Sequence, residues 1–213
     1  MMEINSFKTI LVLGPHTDDG EIGAGGTISR LCREGKDVHY AAFSICEESV
    51  PPQFPKNILS KEIVKASSKL GIPEENLYIF KYKVRKFTYY RQEILEEIIK
   101  LRNKLKPDLV LIPCSFDIHQ DHKVIYEEGI RAFKKTNILG YELPWNNLED
   151  NTRCFIKITE EDLKNKIESI MEYKSQLSRN YISEEYIKSL LIVRGKQVDF
   201  DLAESFEVIR LIF

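Results

Sequence analysis

The chain has 213 residues, enough for one α/β domain, spanning 1–213, with a full core. Its 31 basic and 33 acidic side chains leave a formal net charge of −2, so no global basic field points to nucleic acid as a partner. No apolar run approaches the ~20 residues of a bilayer span. The start, Met1-Met2-Glu3-Ile4-Asn5-Ser6, lacks a basic region followed by an apolar core, so no secretory signal and a cytoplasmic location are expected.

Phe7 to Leu13 is rich in Ile, Leu and Val with little alternation, which predicts a strand covered on both faces. Gly23-Ala24-Gly25-Gly26 is expected to turn the chain, and Thr27 to Glu34 to form a helix stopped by Gly35. Val38 to Ile45 predicts a second strand, and Pro51-Pro52-Gln53-Phe54-Pro55 a loop at its carboxyl end. Ser60 to Leu70 predicts a helix with Gly71 past its end. Asn76 to Phe80 predicts a third strand. Tyr90 to Leu105 carries Ile94, Leu95, Ile98, Ile99, Leu101 and Leu105 at helical spacing.

Asp108 to Pro113 predicts a fourth strand and Lys123 to Lys134 a helix. Leu139 to Leu143 and Phe155 to Ile158 predict shorter strands. Thr159 is placed to cap a helix running to about Gln176. Glu184 to Val193 predicts a further helix, and Phe206 to Ile212 a closing strand. Strand and helix alternate through the first two-thirds, which argues for βαβ units in one doubly wound sheet. The expected class is α/β: a Rossmann-like three-layer fold with a mostly parallel sheet and helices on both faces.

Three of the four histidines lie just past strand-like runs. Pro15-His16-Thr17-Asp18-Asp19-Gly20-Glu21 follows the first, and His119-Gln120-Asp121-His122 follows the fourth. Ligands bind at the carboxyl ends of strands in open α/β sheets. Taken singly, each run reads as a polar strand end or a turn. Taken together, they supply His16, Asp19 and one histidine of the second cluster as three metal ligands, with one coordination position open for chemistry. Asp18 is then a candidate base, and the remaining histidine a candidate acid or oxyanion partner.

The G-x-G-G spacing at Gly23 to Gly26 departs from a dinucleotide fingerprint, and the acids before it would repel a pyrophosphate. Close packing and turning are the expected roles of these glycines. The cysteines, Cys32, Cys46, Cys114 and Cys154, form no C-x-x-C pair, so free thiols are expected. Cys114, near His119, is a minor candidate nucleophile beside its more ordinary role as a small buried hydrophobe.

The segment Pro15 to Thr27, PHTDDGEIGAGGT, resembles the first signature of the LmbE-like (PIG-L type) zinc-dependent N-deacetylases, usually written H-P-D-D with an acid and a G-x-G-G turn. His119 to His122, HQDH, resembles the second, usually H-P-D-H. Lys166 to Gln176 and Ala203 to Phe206 are similar to later stretches of that family.

The resemblance implies hydrolysis of an N-acetylated amino sugar or its conjugate, a small-molecule substrate, with release of acetate. By position it implies Zn2+ on His16, Asp19 and His122, with Asp18 as general base on the metal-bound water. It implies His119 as oxyanion partner or acid, and Asp121 as the residue that orients His119. Nitrogen and oxygen ligands also admit Fe2+ or another divalent ion.

Thr17 and Gln120 replace the two prolines of the signatures, and Glu21 sits one place later than its usual position. Altered loop stiffness with intact chemistry is expected. Glu21, Glu47, Arg85 and Arg91 are candidate substrate contacts, the arginines for an anionic group. Trp145 is a candidate sugar platform or a core residue. Alternative readings are an amidase on a thiol conjugate or other non-sugar amide, and a catalytically silent sugar-binding relative. A homo-oligomer is left open.

Overall fold

The computed structural model describes residues 6–149 and 151–212. Its strands are β1 (Thr9–His16), β2 (Asp37–Ser44), β3 (Leu77–Ile79), β4 (Leu109–Pro113), β5 (Asn137–Tyr141), β6 (Cys154–Lys157) and β7 (Ala203–Arg210). The α-helices are α1 (Asp19–Arg33), α2 (Ile58–Lys69), α3 (Arg91–Leu105), α4 (Gln120–Ala132), α5 (Glu160–Met171) and α6 (Glu184–Lys196). The strands form one sheet in the order β3-β2-β1-β4-β5-β7-β6. β1 to β5 run parallel, and β7 lies antiparallel to both β5 and β6. This is the α/β architecture expected from the alternating pattern.

The residues of β1 explain why it sits at the centre. Ile10 and Val12 enter one apolar cluster, with Ile28 of α1, Ile63 of α2 and Ile170 of α5. Leu11 and Leu13 enter a second cluster on the opposite face, with Ile98 of α3 and Ile125 of α4. A strand buried on both faces has no need of alternating polarity, hence its continuous apolar run.

Several boundaries differ from expectation. Gly23 to Gly26 lie inside α1, which starts at Asp19 rather than Thr27. Glycine is a poor helix former, but close packing overrides propensity here. A Cβ on Gly23 would fall 2.3 Å from Cδ2 of Tyr141 in β5, and one on Gly20 would fall 2.8 Å from the Tyr40 ring. The bare backbone lets α1 lie against the sheet and brings its first turn to the end of β1.

The other differences follow local capping and pairing. His119 caps α4, which therefore starts at Gln120 rather than Lys123. Thr159 caps α5 as expected, in a reciprocal box with Asp162. That helix ends at Met171, and a short 3-10 turn at Lys174–Gln176 follows it. The closing strand covers Ala203–Arg210, because residues 203–206 pair with β6.

Candidate metal centre and active site

The strand order reverses direction between β1 and β4, neighbours whose helices leave to opposite faces of the sheet. Such a point opens a crevice beyond the carboxyl ends of the strands. The chain places His16 at the last residue of β1 and Asp19 at the first of α1. From the neighbouring strand it places His119 at the cap of α4 and His122 in its first turn.

Three of these side chains converge closely. His16 Nδ1 lies 3.1 Å from Asp19 Oδ2, His122 Nε2 lies 3.3 Å from the same oxygen, and the two ring nitrogens are 3.2 Å apart. Ligands about 2.0–2.1 Å from a tetrahedral ion stand about 3.3 Å from one another. The triangle therefore has the size of one face of such a site. Donor atoms of His16, His119 and His122 also fall within 4.8 Å of one another. Asp19, in direct contact with both His16 and His122, makes the tighter set.

Each histidine of the triangle has its second nitrogen held by a buried acid. His122 Nδ1 donates to Asp117 Oδ2 at 2.6 Å, and His16 Nε2 donates to Asp121 Oδ2 at 3.1 Å. Carboxylates in this position fix the ring and raise its basicity toward a metal. Asp121 was expected to orient His119. Its carboxylate instead faces His16 and accepts the backbone N–H groups of Arg85 at 2.5 Å and Phe87 at 3.2 Å. Only its backbone reaches His119, donating to Nδ1 at 3.2 Å. The His16 ring and these two backbone donors together hold the carboxylate on the side of His16.

The electrostatics follow from burial among opposed charges. Burial disfavours charge on His16 and His122, but Asp19 and the bonded acids more than offset it. Their pKa values rise to about 8 and about 10. Burial likewise opposes ionisation of Asp19, but His122 and His16 hold its pKa well below the usual carboxylate range. Burial, then the Asp19 charge, raises Asp18 to about 6, against the opposing charges of His16 and Arg179. Burial and the neighbouring His122 and His16 lower His119 to about 4. Neutral His119, with Nδ1 accepting from the backbone, carries its proton on Nε2.

A cleft of about 310 Å³ opens over this cluster, lined by His16, Asp18, Asp19, His119 and His122. Its volume lies at the small end of ordinary ligand clefts, about 300–1,000 Å³. Asp18 precedes α1 but makes no side-chain cap bond. Arg85 lines the cleft, as do Trp145, Arg179 and Tyr181 from later segments. Trp145 and Tyr181 stack with ring centroids 4.0 Å apart and planes 8° from parallel.

Glu21, Glu47 and Arg91 stand outside the cleft lining. Glu21 is fully buried, with its carboxyl oxygens 2.8 Å from the Tyr40 hydroxyl and 2.7 Å from that of Tyr173. Both tyrosines also bond the Thr17 carbonyl. Glu21 thus braces the loop from beneath. Glu47 is exposed in a short turn. Arg91 pairs with Glu127 and Glu128 of α4. Cys114 is a buried thiol pushed up to about 12 by burial and by Asp117 and Glu207, and it stands outside the lining as well. All four cysteines are free.

Sequence reasoning missed Asp117, Arg179 and Tyr181. Asp117 had one local signal, an acid in the same short loop as the second histidine cluster. Arg179 and Tyr181 had none, because they reach the cleft through the packing of α5 and the segment after it.

Residues 11–133 match the model of the GlcNAc-PI de-N-acetylase (PIG-L) family. The chain belongs to this family. Among curated relatives, it is 26% identical to the uncharacterized deacetylase YaiS of Escherichia coli, over 80% of this chain and 93% of the relative. It is 23% identical to the diacetylchitobiose deacetylase of Thermococcus kodakarensis, over 98% of this chain and 86% of that one. Among solved structures, GalB, the 4-carboxy-2-hydroxymuconate hydratase of Pseudomonas putida, superposes with a TM-score of 0.80 at 16% identity, covering 97% and 98% of the two chains. At that identity the likeness is one of fold. A fold that also carries a hydratase leaves the chemistry to be argued from the site.

Proposed function

We propose that this chain is a metal-dependent N-deacetylase that hydrolyses the acetamide of an N-acetylated amino sugar or its conjugate, with zinc as its ion. The observation that carries the reading is the His16–Asp19–His122 triangle with Asp18 beside it in the same cleft. Nitrogen and carboxylate donors of this kind suit Zn2+ and also admit Fe2+. Family membership supports the reaction class.

When bound, the ion polarises the acetyl carbonyl and makes water at the site more acidic. Asp18, whose carboxylate lines the cleft and caps no helix, accepts the proton of the attacking water. His119 donates Nε2–H to the carbonyl oxygen as negative charge builds there. The C–N bond then breaks, and the proton held at the site passes to the departing nitrogen. Acetate and a free amine leave. Asp121 and Asp117 hold the two histidine rings, and Arg85 contacts the substrate from the wall.

The test is acetate release by metal-loaded protein across N-acetylated hexosamines, their glycosides and a non-sugar acetamide. Acetate with a matching yield of amine from an amino sugar is expected. Release from the non-sugar amide alone would contradict the substrate class, and release from none would contradict the reaction.

A further inference from the structure

Two arginines line the cleft, and neither forms an ion pair with a carboxylate among the described residues. These are Arg85 and Arg179. Arg30, Arg33, Arg91, Arg131 and Arg194 are each paired with an acid, and the other unpaired arginines, Arg102, Arg153 and Arg210, bond backbone carbonyls away from this cleft. Arg179 is also held in place. Its Nε donates to Gln176 Oε1 at 2.7 Å, and Nη1 donates to the Tyr181 hydroxyl at 2.9 Å.

The holding group is itself anchored in the core. Gln176 is buried and donates to Ser175 Oγ at 3.0 Å. Ser175 in turn donates twice to the buried carboxylate of Glu62 on α2, at 2.9 and 2.6 Å. Arg179 is itself exposed, and this chain fixes its direction at the cleft. Nε and Nη1 are thus each held by the protein, and Nη2 makes no bond to any described residue. A positioned guanidinium with free donors is a fork for a carboxylate or phosphate. Beside it stands the stacked pair Trp145–Tyr181, whose flat face suits a sugar ring.

We infer that the substrate carries an anionic group, a carboxylate or a phosphate on the amino sugar or its aglycone, and that Arg179 binds it while the Trp145–Tyr181 stack flanks the sugar. This rests on the deacetylase reading above and narrows it. Asp18 and Asp19 line the same cleft and would repel such a group, and Arg179 supplies the opposite charge there.

The test compares kcat/KM for acetate release from four substrates. These are the 1-phosphate, the 6-phosphate and the 2-carboxyethyl glycoside of N-acetylglucosamine, and the neutral methyl glycoside as reference. Metal-loaded wild type, Arg179→Met and Arg179→Lys are measured side by side. Wild type is expected to favour at least one anionic substrate by about tenfold, and the substrate favoured separates phosphate from carboxylate.

Arg179→Met is expected to bring the anionic-to-neutral ratio close to one. Arg179→Lys, which keeps the charge and loses the fork, should fall between, and it decides the question should the Met variant not fold. Binding of the corresponding deacetylated amines, which cannot turn over, is read from Trp145, the only tryptophan of the chain. The anionic amine should weaken about tenfold in Arg179→Met. An arginine that acted only on Asp18 would lower all four rates together and leave the ratio unchanged, which overturns the inference. Release from the methyl glycoside with no anionic preference in wild type overturns it too, and leaves the deacetylase reading standing. No release from any substrate overturns both.

Discussion

Asp117 accepts a 2.6 Å hydrogen bond from Nδ1 of His122, and this bond turns Nε2 of the same ring toward Asp19 and His16. Asp117 is buried and also receives the His119 backbone N–H at 2.8 Å. One acid therefore fixes both the ring of one histidine and the start of the helix that carries it. Asp117→Asn should lower metal affinity about 10- to 100-fold, the usual effect of losing such a partner. Competition with a calibrated chelator measures this. Unchanged affinity would remove Asp117 from the site.

Metal binding should also release protons. In the metal-free protein His16 and His122 are held protonated by Asp19 and the acids behind them, with pKa values raised to about 8 and about 10. Both lie above neutral pH, so both rings carry charge at pH 7 and must lose a proton to bind an ion. Affinity should rise as pH increases from 6 toward 8. Calorimetry in buffers of different ionisation enthalpy counts the protons released. A pH-independent affinity with no proton release would contradict the ligand assignment.

The glycines of α1 test how the helix is seated. Gly23→Ala improves helix propensity by about 1 kcal/mol, but its Cβ would meet the Tyr141 ring at 2.3 Å. Tyr141 is fully buried and its hydroxyl donates to the Leu13 carbonyl, so the ring has little room to move. The clash should win, at a net cost of about 1–3 kcal/mol. A urea midpoint below that of wild type is expected. A higher midpoint would show that the contact is soft.

The central strands and both histidine clusters were legible in the sequence because each is a local pattern: an apolar run, then polar residues where the strand ends. The order in which β1 and β4 pair then brings His16 and His122 together. What the sequence hid depends on contacts between distant segments. Gly23 looks like a turn residue until Tyr141 is seen against it. Asp121 follows His119 by two residues, yet its carboxylate turns to His16, 105 positions away along the chain. Arg179 and Tyr181 carry no motif and reach the cleft only because Glu62 and Ser175 tie their segment to α2.

The assignment of neighbouring acids to separate tasks is the centre of this account. Asp19 touches both histidines of the triangle, whereas Asp18 lines the cleft and caps nothing. The decisive measurement is metal content together with acetate release for Asp18→Asn and Asp19→Asn. Asp18→Asn should keep a full complement of metal and lose about 10²–10⁴-fold in rate, the range of a general base. Asp19→Asn should lose metal affinity and recover activity only at high metal concentration. Equal metal loss in both variants, or full activity in Asp18→Asn, would contradict it.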